Sequence, residues 1–559
     1  MKAEFNLCEE PWILVMGQDC SVRELSLPEV LIHAHEYVRL SGEMPAQDVA
    51  VLRLLLAVLH RIYADGLYKE NGEEERADER HLLRREPEVR SFWKSLWKEG
   101  RFSEKRIQNY FSRWRERFWL FHDERPFWQV KEAEGGTEYT AAKLNGELAE
   151  SSNKLRLFPV CSGAGKESLS YAQAARWLLH VNAYDDTSAK PKGKDLPSPG
   201  AGWLGKIGLI TAEGNNLFET LMLNFTLLRD GHEAWADEEN SPVWEREKAK
   251  AEERSEIAVP GNQSELLSLQ SRRLLLMREG DRVVGYRLLG GDFFNKTAAH
   301  AEQMTVWQTV QKSAKEPPYY QPRRHDPSRQ LWRDFGAIFL EKQNIRMPGV
   351  VSWNASVSSW LKREQPSRRA RFRITAVHYG DKDFFIDDAF TDTLSFQADL
   401  LTELGALWMF RIEEEVQRCE KLSLAVGRFA QDLDLAGGGD GKAETGQRAR
   451  ASFYSRVDIP FRHWLQTIDA EMEGEAAEQC CGRWKQELRG IALKLGEEIV
   501  HTAGPQAYIG REVEVKADKK SGKKRKTAET GTAGGKKELY CAPYLYQRLL
   551  RNIQNIMKH

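Results

Sequence analysis

The stretch M-P-A-Q-D-V-A-V-L-R-L-L-L-A-V-L-H-R (Met44–Arg61) decides how the first part of this chain is built. Val49, Leu52, Leu55, Leu56 and Leu59 recur at helical spacing, and Asp48 stands in the first turn, where the helix macrodipole favours a carboxylate. The spacing predicts a buried core helix. Upstream, F-N-L-C-E-E-P-W-I-L-V (Phe5–Val15) and G-Q-D-C-S-V-R-E-L-S-L (Gly17–Leu27) place apolar residues on both sides of a polar turn at Gly17–Asp19, a hairpin signal. Downstream, N-N-L-F-E-T-L-M-L-N (Asn215–Asn224) offers Asn216 as a helix cap with Glu219 three residues on. R-L-L-L-M-R-E-G-D-R-V-V-G-Y-R-L-L (Arg273–Leu289) sets two apolar runs around E-G-D-R, again a hairpin.

Helices and strands therefore alternate up to about Asp388. Beyond about Leu394 the pattern is helical, in four segments expected near Ser395–Leu433, Lys442–Glu471, Ala477–His501 and Glu538–Lys558, which antiparallel packing would join as a bundle. The expected fold class is α+β: a mixed α/β domain over 1–390, then an all-α four-helix bundle over 391–559. The insert Lys516–Lys537 is lysine-rich and almost without apolar residues, so it cannot bury a core and is expected to be a mobile loop.

A chain of 559 residues exceeds one ordinary core, since domains run to about 150 residues. With 82 Lys and Arg against 83 Asp and Glu, the formal net charge is -1, so any attraction to nucleic acid must rest on local patches. Seven cysteines without a C-x-x-C pair argue against a zinc knuckle and a secreted disulfide framework. The acidic N-terminus lacks an apolar leader core, and no apolar run reaches the roughly 18 residues of a membrane span. A cytoplasmic protein without membrane attachment is the expectation.

Chemical motifs mostly fail on context. Gly200-Ala201-Gly202-Trp203-Leu204-Gly205 matches G-x-G-x-x-G, but K-P-K-G-K-D-L-P-S-P precedes it and the β-like K-I-G-L-I-T follows, where a dinucleotide site needs a strand before and a helix after. A surface loop, or a backbone-rich loop that another molecule's backbone can approach, reads better. Ser162-Gly163-Ala164-Gly165-Lys166 has Val160 and Glu167 where a phosphate loop needs Gly and Ser or Thr. The 13 histidines form no H-E-x-x-H, and structural roles suit them. No catalytic residue, cofactor or metal ligand is predicted. Pro322–Arg333 and Ser367–Arg373 concentrate arginines beside aromatic residues, as phosphate-contacting surfaces do, although either alone also reads as a salt-bridged face.

Taken together, F-N-L-C-E-E-P-W-I-L-V, the Met44–Arg61 run, R-P-F-W-Q-V (Arg125–Val130), G-W-L-G-K-I-G (Gly202–Gly208), N-L-F-E-T-L-M-L-N, Ser271–Gly285 and P-R-R-H-D-P-S-R-Q-L-W (Pro322–Trp332) resemble the large subunit of the type I-E CRISPR Cascade complex, the CasA/Cse family. The resemblance implies an α/β domain of unusual topology followed by a four-helix bundle. It implies a non-catalytic role with crRNA and other Cascade subunits: recognising the protospacer-adjacent motif (PAM) in double-stranded DNA, helping to open the duplex, and recruiting the helicase-nuclease. It also implies site residues. The glycine-containing PAM loop falls on Ser198, Pro199, Gly200, Ala201 and Gly202, the basic contact on Lys312 or Lys315, and the wedge on Lys382, Asp383 and Phe384. A loop reaching the crRNA 5′ handle and neighbouring subunits falls on Asn153 and Phe158. The wedge here departs from the Asn-Gln-Ala pattern, because the acidic Asp383 would be repelled by phosphates, which leaves Lys382 or Phe384 to lead. Two other classes stay open: a metal-dependent nucleic-acid enzyme, which needs a carboxylate or histidine cluster, and a purely structural scaffold.

Overall fold

Thirteen of the fifteen residues of helix Pro45–Leu59 are buried, so the helix is enclosed on every side and organises the first part of the chain. Helices Tyr171–Tyr184, Leu217–Asn224 and Gln263–Leu267 pack around it, with the strand Arg369–Tyr379. A cation inside such a helix requires a partner. Arg53 finds Glu302, with Nη1–Oε1 and Nη2–Oε2 distances of 3.1 and 3.0 Å. Burial alone would raise the Glu302 carboxyl, but the Arg53 guanidinium, together with hydrogen bonds from the Trp203 indole and the Met304 N–H, outweighs it and holds the group below the usual carboxylate range.

This computed structural model describes residues 3–64, 85–146, 161, 163–187, 200–231, 233–234, 241–246, 260–292, 302–311, 313–515 and 536–558. The chain divides into two units, Met1–Glu403 and Leu404–His559. In the first, small antiparallel sheets are distributed among helices. The N-terminal hairpin pairs Ile13–Gly17 with Val22–Leu25, and Tyr37–Leu40 adds a third strand. Asn216 caps helix Leu217–Asn224, its side chain accepting from the Glu219 N–H at 2.8 Å. Arg272–Glu279 pairs with Arg282–Gly290, and Gly280 adopts the left-handed φ of +58° that the turn needs. Strand Leu209–Ala212 edges a long hairpin made by Arg369–Tyr379 and Ile386–Gln397.

That hairpin corrects the expected boundary at 390. Its second strand runs through 390 to Gln397, because the alternation of Leu394 and Phe396 toward the core continues the sheet. The first bundle helix accordingly begins at Ala406, not near Ser395. The second unit contains the helices Ala406–Ala436, Ala443–Thr467, Gly474–His501 and Ala542–Lys558, which pack on one another as a bundle. Trp464 and Trp484 stack at 5.2 Å, and the Trp484 indole donates to buried Glu415. Strands do not end at Leu394, as the sequence pattern suggested. Arg511–Val515 pairs with Lys536–Tyr540, taking Lys536 and Lys537 out of the expected loop. The rest of that insert, 516–535, lies outside the described residues.

Three buried histidines make the first unit pH-sensitive. Burial pushes His60 down to about 3, and His180 and His325 to about 4. A depressed histidine contributes stability that is complete above its unfolded value near 6.5 and lost as pH falls from there toward 4, because the unfolded chain takes up the proton first. Each supplies a slope of roughly 1.4 kcal/mol per pH unit in that window. Asp48, raised by burial to about 6, acts with the opposite sign between about 4 and 6 and offsets one histidine there. Urea unfolding of the first unit should therefore show falling stability from pH 7 to 5. His180→Phe, which keeps the ring packed by Trp177 and Tyr184, should flatten that slope by about a third above pH 6 and by about half between pH 5 and 6, where Asp48 already offsets one histidine. In the same assay Leu56→Ala should cost about 2–5 kcal/mol at pH 7, since it opens a cavity in the enclosed helix.

Candidate nucleic-acid interface

The long hairpin ends in Gly380–Phe385, and its tip is strained. Lys382 has φ 55° and Asp383 φ 61°, two consecutive left-handed residues that are not glycine, at a cost of about 1–2 kcal/mol each. Several contacts hold the strain in place. The Gly380 N–H donates to the Phe385 carbonyl at 2.9 Å, and the Asp383 N–H to the Gly380 carbonyl at 3.0 Å. A Cβ on Gly380 would lie 2.1 Å from the Phe385 ring, so the ring closes over the turn only because that residue is glycine. From outside the hairpin, Thr187 donates its N–H to the Asp383 carbonyl at 2.9 Å and its hydroxyl to the Lys382 carbonyl at 2.8 Å.

Asp383 is not a bare charge. Arg324 grips its carboxylate in a two-pronged pair, Nη1–Oδ1 2.9 Å and Nη2–Oδ2 2.8 Å, with the guanidinium 5.4 Å over the Tyr379 ring. Lys382 and Phe384 are left exposed. Among the described residues of the first unit, Val22 and Phe384 are the exposed large apolar side chains, and Phe384 is the one at the hairpin tip.

The glycine segment reaches the same place. Tyr379 donates its hydroxyl to the Tyr184 carbonyl at 2.6 Å, and a Cβ on Gly205 would sit 1.8 Å from that hydroxyl oxygen. Gly202 lies against helix Tyr171–Tyr184, where a Cβ would be 2.3 Å from the Ala183 carbonyl oxygen, and Ala201 is buried. The close approaches of Gly202 and Gly205 are thus internal. Gly200 differs: it needs its left-handed φ of +66°, and only the end of Lys206 stands near its Cβ position. A one-turn helix, Trp203–Lys206, does follow the glycines, but strand Leu209–Ala212 succeeds it at once.

Buried cations anchor this segment from two sides. Arg272 pairs with Asp185 at 2.5 Å and donates to the carbonyls of Asp186 and Gly200. The Trp203 indole donates to Glu302, the partner of Arg53. Burial pushes the Lys206 ammonium down to about 8, the neighbouring Arg272 and Arg324 add to the effect, and Asp383 opposes it. Such a cation-rich surround suits an anionic backbone.

Lys315 is exposed in the turn between strands Trp307–Val310 and Tyr319–Pro322, and none of its described contacts joins it to the tip. Asn153, Phe158, Ser198, Pro199 and Lys312 lie outside the described residues. In the basic clusters, Arg323 and Arg329 pair with Asp334 and Arg373 with Glu213, while Arg369 and Arg371 are exposed. Thr187 went unnoticed in the sequence, where nothing marks it, and Arg272 and Tyr379 were given no role; Arg324 stood within a noted cluster, but its carboxylate partner is 59 residues away. Among the described residues no three His, Cys, Asp or Glu side chains gather as a metal site requires, and no helix is long and apolar enough to cross a membrane.

Residues 6–495 match the family described as CRISPR-associated protein Cse1. A CRISPR-associated protein CasA/Cse1 of Thermus thermophilus is 26% identical over 512 residues, covering 88% of this chain and 91% of that protein. The crystal structure of Thermobifida fusca Cse1 superposes with a TM-score of 0.77 at 26% identity, covering 99% of this chain and 98% of the other. A chain of a CRISPR RNA-guided surveillance complex shares the fold with a TM-score of 0.67 at 18% identity, over 90% and 97% of the two chains. With its family matched over most of its length, the chain belongs to the Cse1 family of CRISPR-associated proteins, the CasA/Cse1 large subunits.

Proposed function

We propose that this chain is the non-catalytic large subunit of a type I-E Cascade, in which it works beside crRNA and other Cascade subunits. There it recognises the PAM in double-stranded DNA, helps to open the duplex for R-loop formation and recruits the helicase-nuclease. The observation that carries this reading is the pair of hydrogen bonds from Thr187 to Lys382 and Asp383, which ties the lead-in of the glycine segment to the hairpin tip. A groove-reading loop and a wedge act together only if they are held in register, and guide-based systems leave to the protein just this short duplex signal and the backbone. Phe384 leads the wedge, Lys382 meets phosphate, and Asp383 serves inward by holding Arg324. Lys315 or Lys312 remains the proposed basic PAM contact, and Asn153 and Phe158 the proposed crRNA-side contacts. The internal pairing of Arg323, Arg329 and Arg373 favours a second reading, a structural scaffold, for which the complex would bind targets with and without a PAM equally.

The wedge is tested by Phe384→Ala in the assembled complex. Unstacking one base step costs on the order of a few kcal/mol, so R-loop formation on fully paired target should slow by tenfold or more, and a target already unpaired beside the PAM should be spared. Equal loss on both targets would remove the wedge assignment. Arg324→Ala should mimic this selective defect, because it frees Asp383 and slackens the tip, and Asp383→Asn should impair opening and not improve it.

Gly200 and Gly202 are separable. Gly200→Asn keeps the left-handed backbone, which asparagine tolerates, and adds a side chain. It should weaken PAM-dependent binding with the melting temperature nearly unchanged. Gly202→Ala should instead lower the melting temperature, because its Cβ meets the Ala183 backbone.

A further inference from the structure

The segment R-P-F-W-Q-V (Arg125–Val130) has no part in the duplex-facing cluster, yet it forms one side of a pocket of about 270 Å³ in the first unit. Four cationic residues line it, Arg117, Arg125, Lys131 and Arg246, against the carboxylates of Glu124 and Glu132. Trp128 and Trp244 stack at 5.9 Å and 29° to form its aromatic wall.

The wall is rigid. The Trp244 indole donates to the Tyr110 hydroxyl at 2.7 Å, and that hydroxyl donates to buried Glu245 at 2.8 Å. Gln129 donates to the carbonyls of Leu120 and Phe127 and accepts from the Leu276 N–H. Two of the cations are aimed as well: Arg246 is held by Glu265 and by the Ser241 carbonyl, and Arg117 donates to the Arg246 carbonyl. Arg125 and Lys131, at the mouth, are exposed and in no hydrogen-bonded ion pair among the described residues.

Trp128 is strained. Its φ is +59°, a left-handed conformation that a bulky side chain rarely adopts, and its buried indole N–H has no acceptor among the described residues. Strain of this kind survives where the surroundings over-determine it, which is most often at ligand sites.

We propose that this pocket binds one nucleotide: a phosphate held by Arg125 and Lys131 at the mouth, with the flat base against the Trp128–Trp244 wall. The volume lies near the lower end of small-ligand pockets, about 300 Å³, which suits a single nucleotide better than a longer stretch of chain. Cations flanking an aromatic face are the chemistry by which proteins hold unpaired nucleotides. The same chemistry serves a free mononucleotide or an unpaired nucleotide of a longer strand, and the site does not depend on the PAM reading.

Calorimetry on the full chain tests it, with AMP, adenosine, inorganic phosphate and a five-nucleotide single strand as probes. AMP should bind about tenfold more tightly than adenosine or phosphate alone, since a charge-assisted hydrogen bond and a stacked base each add on the order of tenfold. The double variant Arg125→Ala, Lys131→Ala should weaken AMP by at least about tenfold; both residues are exposed, so the melting temperature should hold and serve as the control. A strand that binds more tightly than AMP identifies a polynucleotide as the source, and equal affinity identifies the free nucleotide. No heat with AMP, binding no tighter than that of phosphate alone, or binding unchanged in the double variant overturns the proposal.

Discussion

The candidate interface depends on one buried guanidinium. Arg272 is 1% exposed, and its donors reach the Asp185 carboxylate and the carbonyls of Ser271, Asp186 and Gly200. Through it three separate stretches of chain are held together: the end of helix Tyr171–Tyr184, the start of strand Arg272–Glu279, and the glycine segment. Removing one member of a buried pair typically costs about 3–5 kcal/mol, because the other is left as an uncompensated charge. The pair is better viewed as a positional device than as a net source of stability, since apolar residues of equal volume often stabilise as well. On the far side of the same segment, Trp203 reports to Arg53 and Glu302 in the core helix. The glycines Gly202 and Gly205 are therefore tied, through Trp203 and Glu302, to the enclosed helix Pro45–Leu59.

Order at the hairpin tip follows from that anchoring. Two left-handed residues in succession are unstable in isolation, and Lys382 and Asp383 persist because Thr187, Arg324 and the Gly380–Phe385 closure each remove an alternative. Thr187 follows Asp185 and Asp186 directly, so the tip is indirectly bound to the Arg272 pair. A displacement on one side is thus transmitted over a few bonds to the other.

Local patterns were legible in the sequence where one stretch of chain carries its own answer. The core helix, the N-terminal hairpin, the Asn216 cap and the Arg272–Gly290 hairpin each follow from spacing, turn residues or capping chemistry within about twenty residues. The end of strand Ile386–Gln397 and the hairpin Arg511–Tyr540 were missed: pairing with Arg369–Tyr379 carries the alternation of Leu394 and Phe396 past the expected end, and Arg511–Val515 finds its partner strand only at Lys536–Tyr540. The G-x-G-x-x-G match shows the same limit. Gly202 and Gly205 are glycine because the Ala183 backbone and the Tyr379 ring crowd them, and those contacts cross the chain. The charge of Asp383, a repulsive group when read alone, is paired with Arg324 by a contact that likewise crosses the chain.

That pairing answers the electrostatic objection to an acidic tip in the proposed wedge. A lone carboxylate about 4 Å from a phosphate at a protein surface meets a repulsion of roughly 4 kcal/mol, as large as the cost of opening a base step. Arg324 cancels that charge at the tip, and the Tyr379 face beneath the guanidinium keeps it from swinging away to solvent. The pair itself is half-exposed and contributes little to folding, on the order of 1 kcal/mol or less. Its value is one of sign: with Asp383 neutralised, the tip presents the Lys382 ammonium and the Phe384 ring. An acidic residue is tolerated here because an arginine 59 positions earlier in the chain is delivered to it by the fold.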